Sequence, residues 1–387
     1  MSYFNWIAGC SLGLAWAWRL VDATIGVPKV ADISRLEWDR KPPDNPRVSI
    51  IVPACNEEAD IEATLTRLLA LDYDNYEVIA VDDRSCDRTG EIMERIAAAA
   101  PPGQLKVIRI AELPAGWMGK PHAMWSAAKQ ATGDWLLFTD ADVLFKSDAL
   151  RRALAYAVAE GADHLVLFPR MIMKRPGEKM MIAFFQTLFV FGHRPWKVAD
   201  PETKDHIGVG AFNLVRRQVY EAVGTYAALR FEVLDDMKLG KVVKNAGYAQ
   251  RNVFGADLIS IRWAKGAMGV VDNLTKNFFA LMSFQWPRAL ASCFALAFLN
   301  LMPFAGVLLA HGWARLGYAV ALFSMFSIYV GMSTKSDIPP YYFFLHPLST
   351  VLFVYTLLRS TFLTLARGGI VWRGTFYPLQ ELRRGMV

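Results

Sequence analysis

Cysteine is scarce in this chain of 387 residues: Cys10, Cys55, Cys86 and Cys293 form no Cys-x-x-Cys pair. That spacing excludes a zinc ribbon and gives no sign of a disulfide framework. Six histidines include no His-x-x-x-His array, so a zinc enzyme is not indicated. No glycine-rich stretch ends in Gly-Lys-Ser or Gly-Lys-Thr, which removes a Walker-type ATPase. Internal repeats and low-complexity tracts are missing, and the basic residues are not interleaved with aromatics on one face, so no nucleic-acid partner is expected. The formal charge of +6 fits attraction to anionic lipid headgroups and says little more.

What the chain has in excess is apolar surface. At 54% hydrophobic it is too apolar for an ordinary soluble enzyme, and the excess sits at its two ends. Crossing a hydrocarbon core takes about 20 apolar residues. Tyr3 to Val21 nearly meets this with one late charge, Arg19, and 289–311, 313–332 and 341–365 meet it despite Pro303, Arg315, Pro347 and Arg359. The expected organisation is an N-terminal membrane anchor (1–22), a linker (23–46), a catalytic domain (47–270), an interfacial segment (271–288), a membrane region (289–365) and a basic tail (366–387). A signal peptide is the rival for the first segment, but a basic start and a clear cleavage site are both missing. Arg19, Lys29, Arg35, Arg40, Lys41 and Arg47 follow the first span, which by the positive-inside rule places the catalytic domain in the cytoplasm, integral to the cell membrane. Three further spans would leave Arg367, Arg373, Arg383 and Arg384 outside, so one of the three is expected to be re-entrant or interfacial. Met180 to Phe191, flanked by Lys179 and Arg194, is too short to span and suits either a surface-lying helix or a buried helix of the catalytic domain.

Between the apolar ends the pattern changes to strands alternating with helices. VSIIV (48–52), Tyr76 to Val81, Leu105 to Ile110 and WLLFT (135–139) read as strands, with helical spacing between them. This alternation predicts an α/β domain with a mostly parallel sheet. Ligands are then expected beyond the carboxyl ends of the strands. Asp140-Ala141-Asp142 stands at one such end, and two carboxylates so placed can hold a hard divalent cation.

Six segments occur in order: VSIIVPACNEE, VIAVDDRSCDRTG, GWMGKPHAM, LLFTDADV, GVGAFNLVRR and EVLDDMKLG. Over roughly residues 46–290 they resemble the family 2 glycosyltransferases of the GT-A (Rossmann-like) fold, and are similar to hopanoid-, carotenoid- and ceramide-type lipid glycosyltransferases. The resemblance implies transfer of a hexose or N-acetylhexosamine from a nucleotide diphosphate sugar, UDP-linked by expectation, with inversion, to a membrane lipid hydroxyl. It implies that Pro53, Asn56, Glu57, Asp82 and Asp83 line the nucleoside pocket and that Lys120 faces the diphosphate. Asp142, with Asp140, would hold Mg²⁺ or Mn²⁺, Asp140 alternatively meeting the ribose. Asp236, or its neighbour Asp235, would take the proton from the acceptor; an acidic pair opening a helix is also what the helix dipole favours. Asp82 has a further reading as a cap on the following helix. Gly208 and Gly210, in IGVGAF, correspond to an acceptor-side loop where backbone approaches the sugar. Arg288 follows Gln285 in a Gln-x-x-Arg that lacks the final Trp of processive synthases, since 289 is Ala. It would approach the diphosphate or, with Trp286, anchor the next span. WRGTFY (372–377) resembles a cytosol-side motif of lipid-modifying relatives. The alternatives are transfer to a polyprenyl phosphate, processive polysaccharide synthesis, and a non-catalytic lipid-binding module; survival of Asp83, Asp140, Asp142 and Asp236 speaks against the last.

Overall fold

A computed structural model describes residues 2–386. The chain divides into two units, one of residues 30–172, 195–262 and 371–387, the other of 1–29, 173–194 and 263–370.

The first unit is built on strands β1 (Val48–Ala54), β2 (Tyr76–Asp83), β3 (Leu105–Ile110), β4 (Trp135–Phe138), β5 (Val143–Phe145), β6 (His164–Leu167), β7 (Arg170–Met171), β8 (Asn213–Arg216), β9 (Gln250–Val253) and β10 (Ile259–Ile261). Seven of them form one sheet in the order β3-β2-β1-β4-β8-β6-β9, and β5-β10-β7 form a smaller one. β1 pairs in parallel with both β2 and β4, whereas β8 runs antiparallel to β4 and β6. Each residue of β1 and β2 is buried because helices cover both faces, as a parallel sheet requires. Side chains of β1 therefore alternate between two cores: Ile50 and Val52 meet Leu65 and Leu68 of the helix Ile61–Leu69, and Ile51 lies with Met124, Ala127 and Leu239 on the other face. Pro53 is tolerated in this central strand because the β4 pairing has already ended at Ile51 opposite Phe138. The mostly parallel α/β sheet expected from the alternating pattern is present.

The stretch read as a linker differs from that reading from Val30 onward. Ile33 is fully buried, Asp32 bridges to Phe254, and Arg152 donates to the carbonyls of Ile33, Ser34 and Arg35. Arg151 and Arg152 also hold Asp39 at 2.7 and 2.8 Å, so the segment is a tied edge of the catalytic unit rather than a spacer. The tail differs too. After β11 (Gly369–Trp372), β12 (Thr375–Pro378) closes a two-stranded hairpin, and residues 371–387 belong to the catalytic unit.

His164 lies inside the sheet between two amides. Its Nε2 lies 2.6 Å from Asn213 Oδ1 and its Nδ1 2.7 Å from the Gln250 amide nitrogen, an arrangement that suits the neutral ring. Burial pushes its pKa down to about 4, only partly opposed by Asn213. A base whose folded value lies below its unfolded one binds fewer protons when folded. Stability is therefore complete above pH 6.5 and falls as pH drops from 6.5 towards 4. We expect about 3 kcal/mol of loss across that window, seen as a falling melting temperature that His164→Gln flattens; an equal slope in the variant would contradict the assignment.

The second unit is helical. Helices Trp286–Leu309, Gly312–Ser333 and Pro340–Arg367 are, among the described residues, the three long and apolar enough to cross a membrane. The N-terminal helix, Ser2–Gly26, packs on Gly312–Ser333 through small residues: a Cβ on Gly9 or Gly13 would meet the backbone of Ala314 or Gly317. Its one basic residue within the apolar stretch, Arg19, is paired with Asp22 at 2.9 Å. The apolar stretch Met180–Phe191 lies in a helix, Pro176–Gly192, that belongs to this unit and not to the catalytic core, which removes the buried-core-helix alternative. The segment read as interfacial, 271–288, is the helix Gly266–Leu281, a turn, and the start of Trp286–Leu309.

Candidate active site

Because β1, β2 and β4 are parallel, their carboxyl ends open on one edge, and that edge collects the acids singled out in the sequence. Asn56 and Glu57 follow β1, Asp82 and Asp83 end β2, and Asp140 and Asp142 follow β4. The loops after β1 and β2 are cross-braced. Asn56 donates its N–H to Ser85 Oγ and accepts the Cys86 N–H at 2.8 Å, while the Glu57 N–H donates to Thr89 Oγ1 at 2.7 Å.

The two acids of β2 have different surroundings. Asp82 accepts the Ser85 N–H at 3.2 Å and meets Arg109 Nε at 3.3 Å, which braces the loop; Ser85 lies ahead of the helix Thr89–Ala99, so Asp82 does not cap that helix. Asp83 is gripped by Arg84 Nε and Nη2 at 2.8 and 3.0 Å. Burial works against the Arg84 charge, yet the Asp83 hydrogen bonds dominate and hold its pKa above the usual arginine value. Pro53 is buried within β1, one strand position behind the edge.

A small pocket beside β4 brings together Lys120, Asp140, Gly210, Tyr226, Asp235 and Asp236, with Met124, Phe138, Thr139 and Asn213 completing its wall. Lys120 does not stand as an isolated point charge: its ammonium lies 2.7 Å from Asp140 Oδ1 and 3.5 Å from Asp235 Oδ2. Burial opposes its charge, but the carboxylates of Asp140, Asp235 and Asp236 prevail and hold its pKa above the usual value. Asp236 stands in the first turn of the helix Asp235–Asn245, at the pocket. Its Oδ2 accepts the Gly210 N–H and its Oδ1 the Met237 N–H, each at 2.8 Å, so the carboxylate cannot swing. Burial raises its pKa, although Lys120 pulls the other way. Asp142 is pushed up to about 7 by burial and by the neighbouring charges of Asp140 and Glu57. Among the described residues no three His, Cys, Asp or Glu side chains form a closed metal cage. Asp140 and Asp142, two carboxylates close enough for the charge of one to act on the other, suit a hard cation whose remaining ligands would come from a bound anion such as a diphosphate.

The glycines of IGVGAF are explained by close approach. A Cβ on Gly208 would overlap the backbone carbonyl of Asp236, and one on Gly210 would run into the Asp140 carboxylate. The small residues thus let the loop sit on the acids themselves. Gly208→Ala is expected to cost about 1–3 kcal/mol of stability and, by displacing Asp236, to lower kcat about a hundredfold. Thermal melting and turnover measured together check this; a variant with wild-type turnover would show that the loop's approach is dispensable.

Arg288 is exposed in the first turn of Trp286–Leu309, in the helical unit, and is not among the residues gathered in the catalytic unit. The sequence reading missed Tyr226, Asn213 and Thr139 in the pocket wall, and Arg84, Thr375 and Tyr377 around Asp83. Tyr226 and Asn213 carry no motif of their own, whereas Thr375 and Tyr377 lie in WRGTFY, whose place in the fold the sequence does not reveal.

Residues 49–237 match the family Glycosyl transferase family 2. The chain is 24% identical over 235 residues to 4,4'-diaponeurosporenoate glycosyltransferase of Staphylococcus haemolyticus, covering 59% of this chain and 60% of that one. It is 37% identical over 157 residues to Beta-monoglucosyldiacylglycerol synthase of Synechocystis, covering 40% of this chain and 31% of the relative. Dolichol-phosphate mannosyltransferase of Pyrococcus furiosus is 28% identical over 198 residues, which are 51% of this chain and 49% of the relative. The chain thus spans less than two thirds of the length of each of these relatives. Among solved structures, the mannosyltransferase PcManGT from Pyrobaculum calidifontis, in complex with GDP-Man and Mn²⁺, superposes with a TM-score of 0.55 at 21% identity, covering 93% of this chain and 99% of that one. That likeness concerns the fold. With the ordered acidic edge and the mostly parallel sheet, these matches establish that the chain carries a family 2 glycosyltransferase domain of the GT-A fold.

Proposed function

We propose that this protein moves a single sugar from a nucleoside diphosphate sugar, UDP-linked by preference, onto a hydroxyl of a membrane lipid, with inversion at the anomeric carbon. The observation that carries the reading is Asp236: a half-buried carboxylate fixed by two backbone N–H groups, in one pocket with Asp140 and Lys120. In the reaction, an Asp236 oxygen takes the acceptor hydroxyl proton while the acceptor oxygen bonds to the anomeric carbon. The bond from that carbon to the diphosphate oxygen breaks, and its electron pair leaves with the nucleotide. Asp140 and Asp142 would hold Mg²⁺ or Mn²⁺, which, when bound, neutralises charge gathering on the leaving diphosphate. Lys120 would turn from Asp140 towards the same phosphates, and Asn56, Glu57 and Asp83 would meet the nucleoside.

Lipid acceptors are supported by the names of two relatives, which carry diaponeurosporenoate and diacylglycerol, and by three helices apolar enough to span a bilayer. The catalytic unit would face the cytoplasm. A phosphate acceptor, as in the name of the dolichol-phosphate relative, needs no proton removed, and the fixing of Asp236 favours a hydroxyl instead. To test the proposal, detergent-purified protein is given a panel of nucleotide sugars, Mn²⁺ and a total lipid extract. A lipid gaining one hexose or N-acetylhexosamine is expected. A ladder of longer products would mean a polymerase, and donor binding without any new lipid mass would return the non-catalytic reading.

A further inference from the structure

The tail hairpin touches three of the loops that frame the donor side of the site. At its turn, Arg373 donates to the carbonyl of Cys55 and pairs with Glu57. Thr375 Oγ1 accepts from Arg84 Nη1 at 3.0 Å, and Arg84 in turn grips Asp83. The Tyr377 hydroxyl accepts the N–H of Gly119 at 3.1 Å, next to Lys120. Each contact made by the hairpin joins residues far apart in sequence, and all lie within the catalytic unit.

Backbone conformation marks the same place. Arg373 and Gly374 have φ of 50° and 78°, the pair of left-handed residues that a two-residue hairpin of the primed type demands. Asn and Gly are the usual occupants there, and Arg in this conformation is disfavoured. Asn56 and Arg84, on the two loops the hairpin meets, are also left-handed, each at φ 58°. Strained non-glycine residues of this kind collect where a ligand site fixes them. The turn aims Arg373 at Glu57, whose charge in turn acts on Asp142. Only two of its five N–H groups are engaged there. A planar guanidinium with donors to spare is the side chain best shaped to take a phosphate in two hydrogen bonds.

We propose that the tail hairpin forms a wall of the donor site and that Arg373 is a further binding residue, which takes the donor's diphosphate. This deepens the proposed function and rests on it. Thr375 and Tyr377 position the hairpin by tying it to Arg84 and Gly119.

The test uses the full chain in detergent with Mn²⁺. Wild-type protein is first titrated with UDP, GDP, ADP and dTDP, and the tightest binder and its parent nucleoside are then used for the variants. Arg373→Ala is expected to weaken the diphosphate about tenfold to a hundredfold, as loss of a charge-assisted contact does, and Arg373→Lys to weaken it less. Affinity for the nucleoside, read by ligand-observed NMR at millimolar concentration, stays at the wild-type value, as does the melting temperature. Unchanged diphosphate affinity in Arg373→Ala overturns the proposal. Equal weakening of diphosphate and nucleoside also overturns it, leaving Arg373 a merely structural part of the wall. If wild-type protein binds none of the four nucleotides, the proposed function itself fails, an outcome distinct from either of these.

Discussion

Asp236→Asn is expected to lower transfer to the lipid about a thousandfold, within the range that a general base contributes, while donor affinity changes little. The substitution keeps shape and size but removes the ability to take a proton. It also has a structural cost that separates two roles of the residue. Both carboxylate oxygens accept backbone N–H groups, from Gly210 and Met237. An amide can satisfy only one of them and points its NH₂ at the other, so about 1–3 kcal/mol of stability should go as well. Turnover, donor KM and melting temperature measured together distinguish the roles. A stability loss alone, with turnover intact, would reduce Asp236 to a brace for the Gly210 loop and move the base to Asp235 or to a phosphate acceptor that needs none.

Asp142→Ala should abolish transfer yet leave the free protein no less stable. Burial and the charges of Asp140 and Glu57 hold the Asp142 pKa at about 7, so its ionised form is disfavoured in the fold. For a carboxyl group with a folded pKa above the unfolded one, the folded state binds more protons, and stability falls as pH rises from about 4 through 7. Removing the group removes that penalty, and at pH 8 without cation the variant should melt at or above the wild-type temperature. Added Mn²⁺ should raise the melting temperature of wild type in the presence of nucleotide and leave that of the variant unmoved. A wild-type-like response to Mn²⁺ in Asp142→Ala would place the cation elsewhere.

Much of this was legible in the sequence because it is local. Each apolar run of β1, β2 and β4 ends in, or is followed within a few residues by, the acids that matter, so strand, loop and carboxylate are read as one unit, and the parallel sheet follows from the alternation. What stayed hidden depends on distance along the chain. Arg373 meets Glu57 across 316 positions, and no periodicity links the two. The same holds for Ile33, in a stretch that reads as a spacer until the bridge between Asp32 and Phe254 ties it down. IGVGAF was visible as glycine-rich, but the reason for the glycines, backbone pressed against Asp236 and Asp140, exists only once the chain is folded. Lys120 likewise reads as a phosphate-facing charge, and only the fold reveals the two carboxylates that hold it meanwhile.

The most direct test of the site is calorimetric titration of UDP into wild-type protein, with Mn²⁺ and again with the cation removed by chelation. Binding at least tenfold tighter with Mn²⁺ is expected, since crowded carboxylates and a diphosphate repel one another until a cation joins them. Equal affinity with and without the cation would contradict the assignment of Asp140 and Asp142 and with it the chemistry proposed for this edge of the sheet.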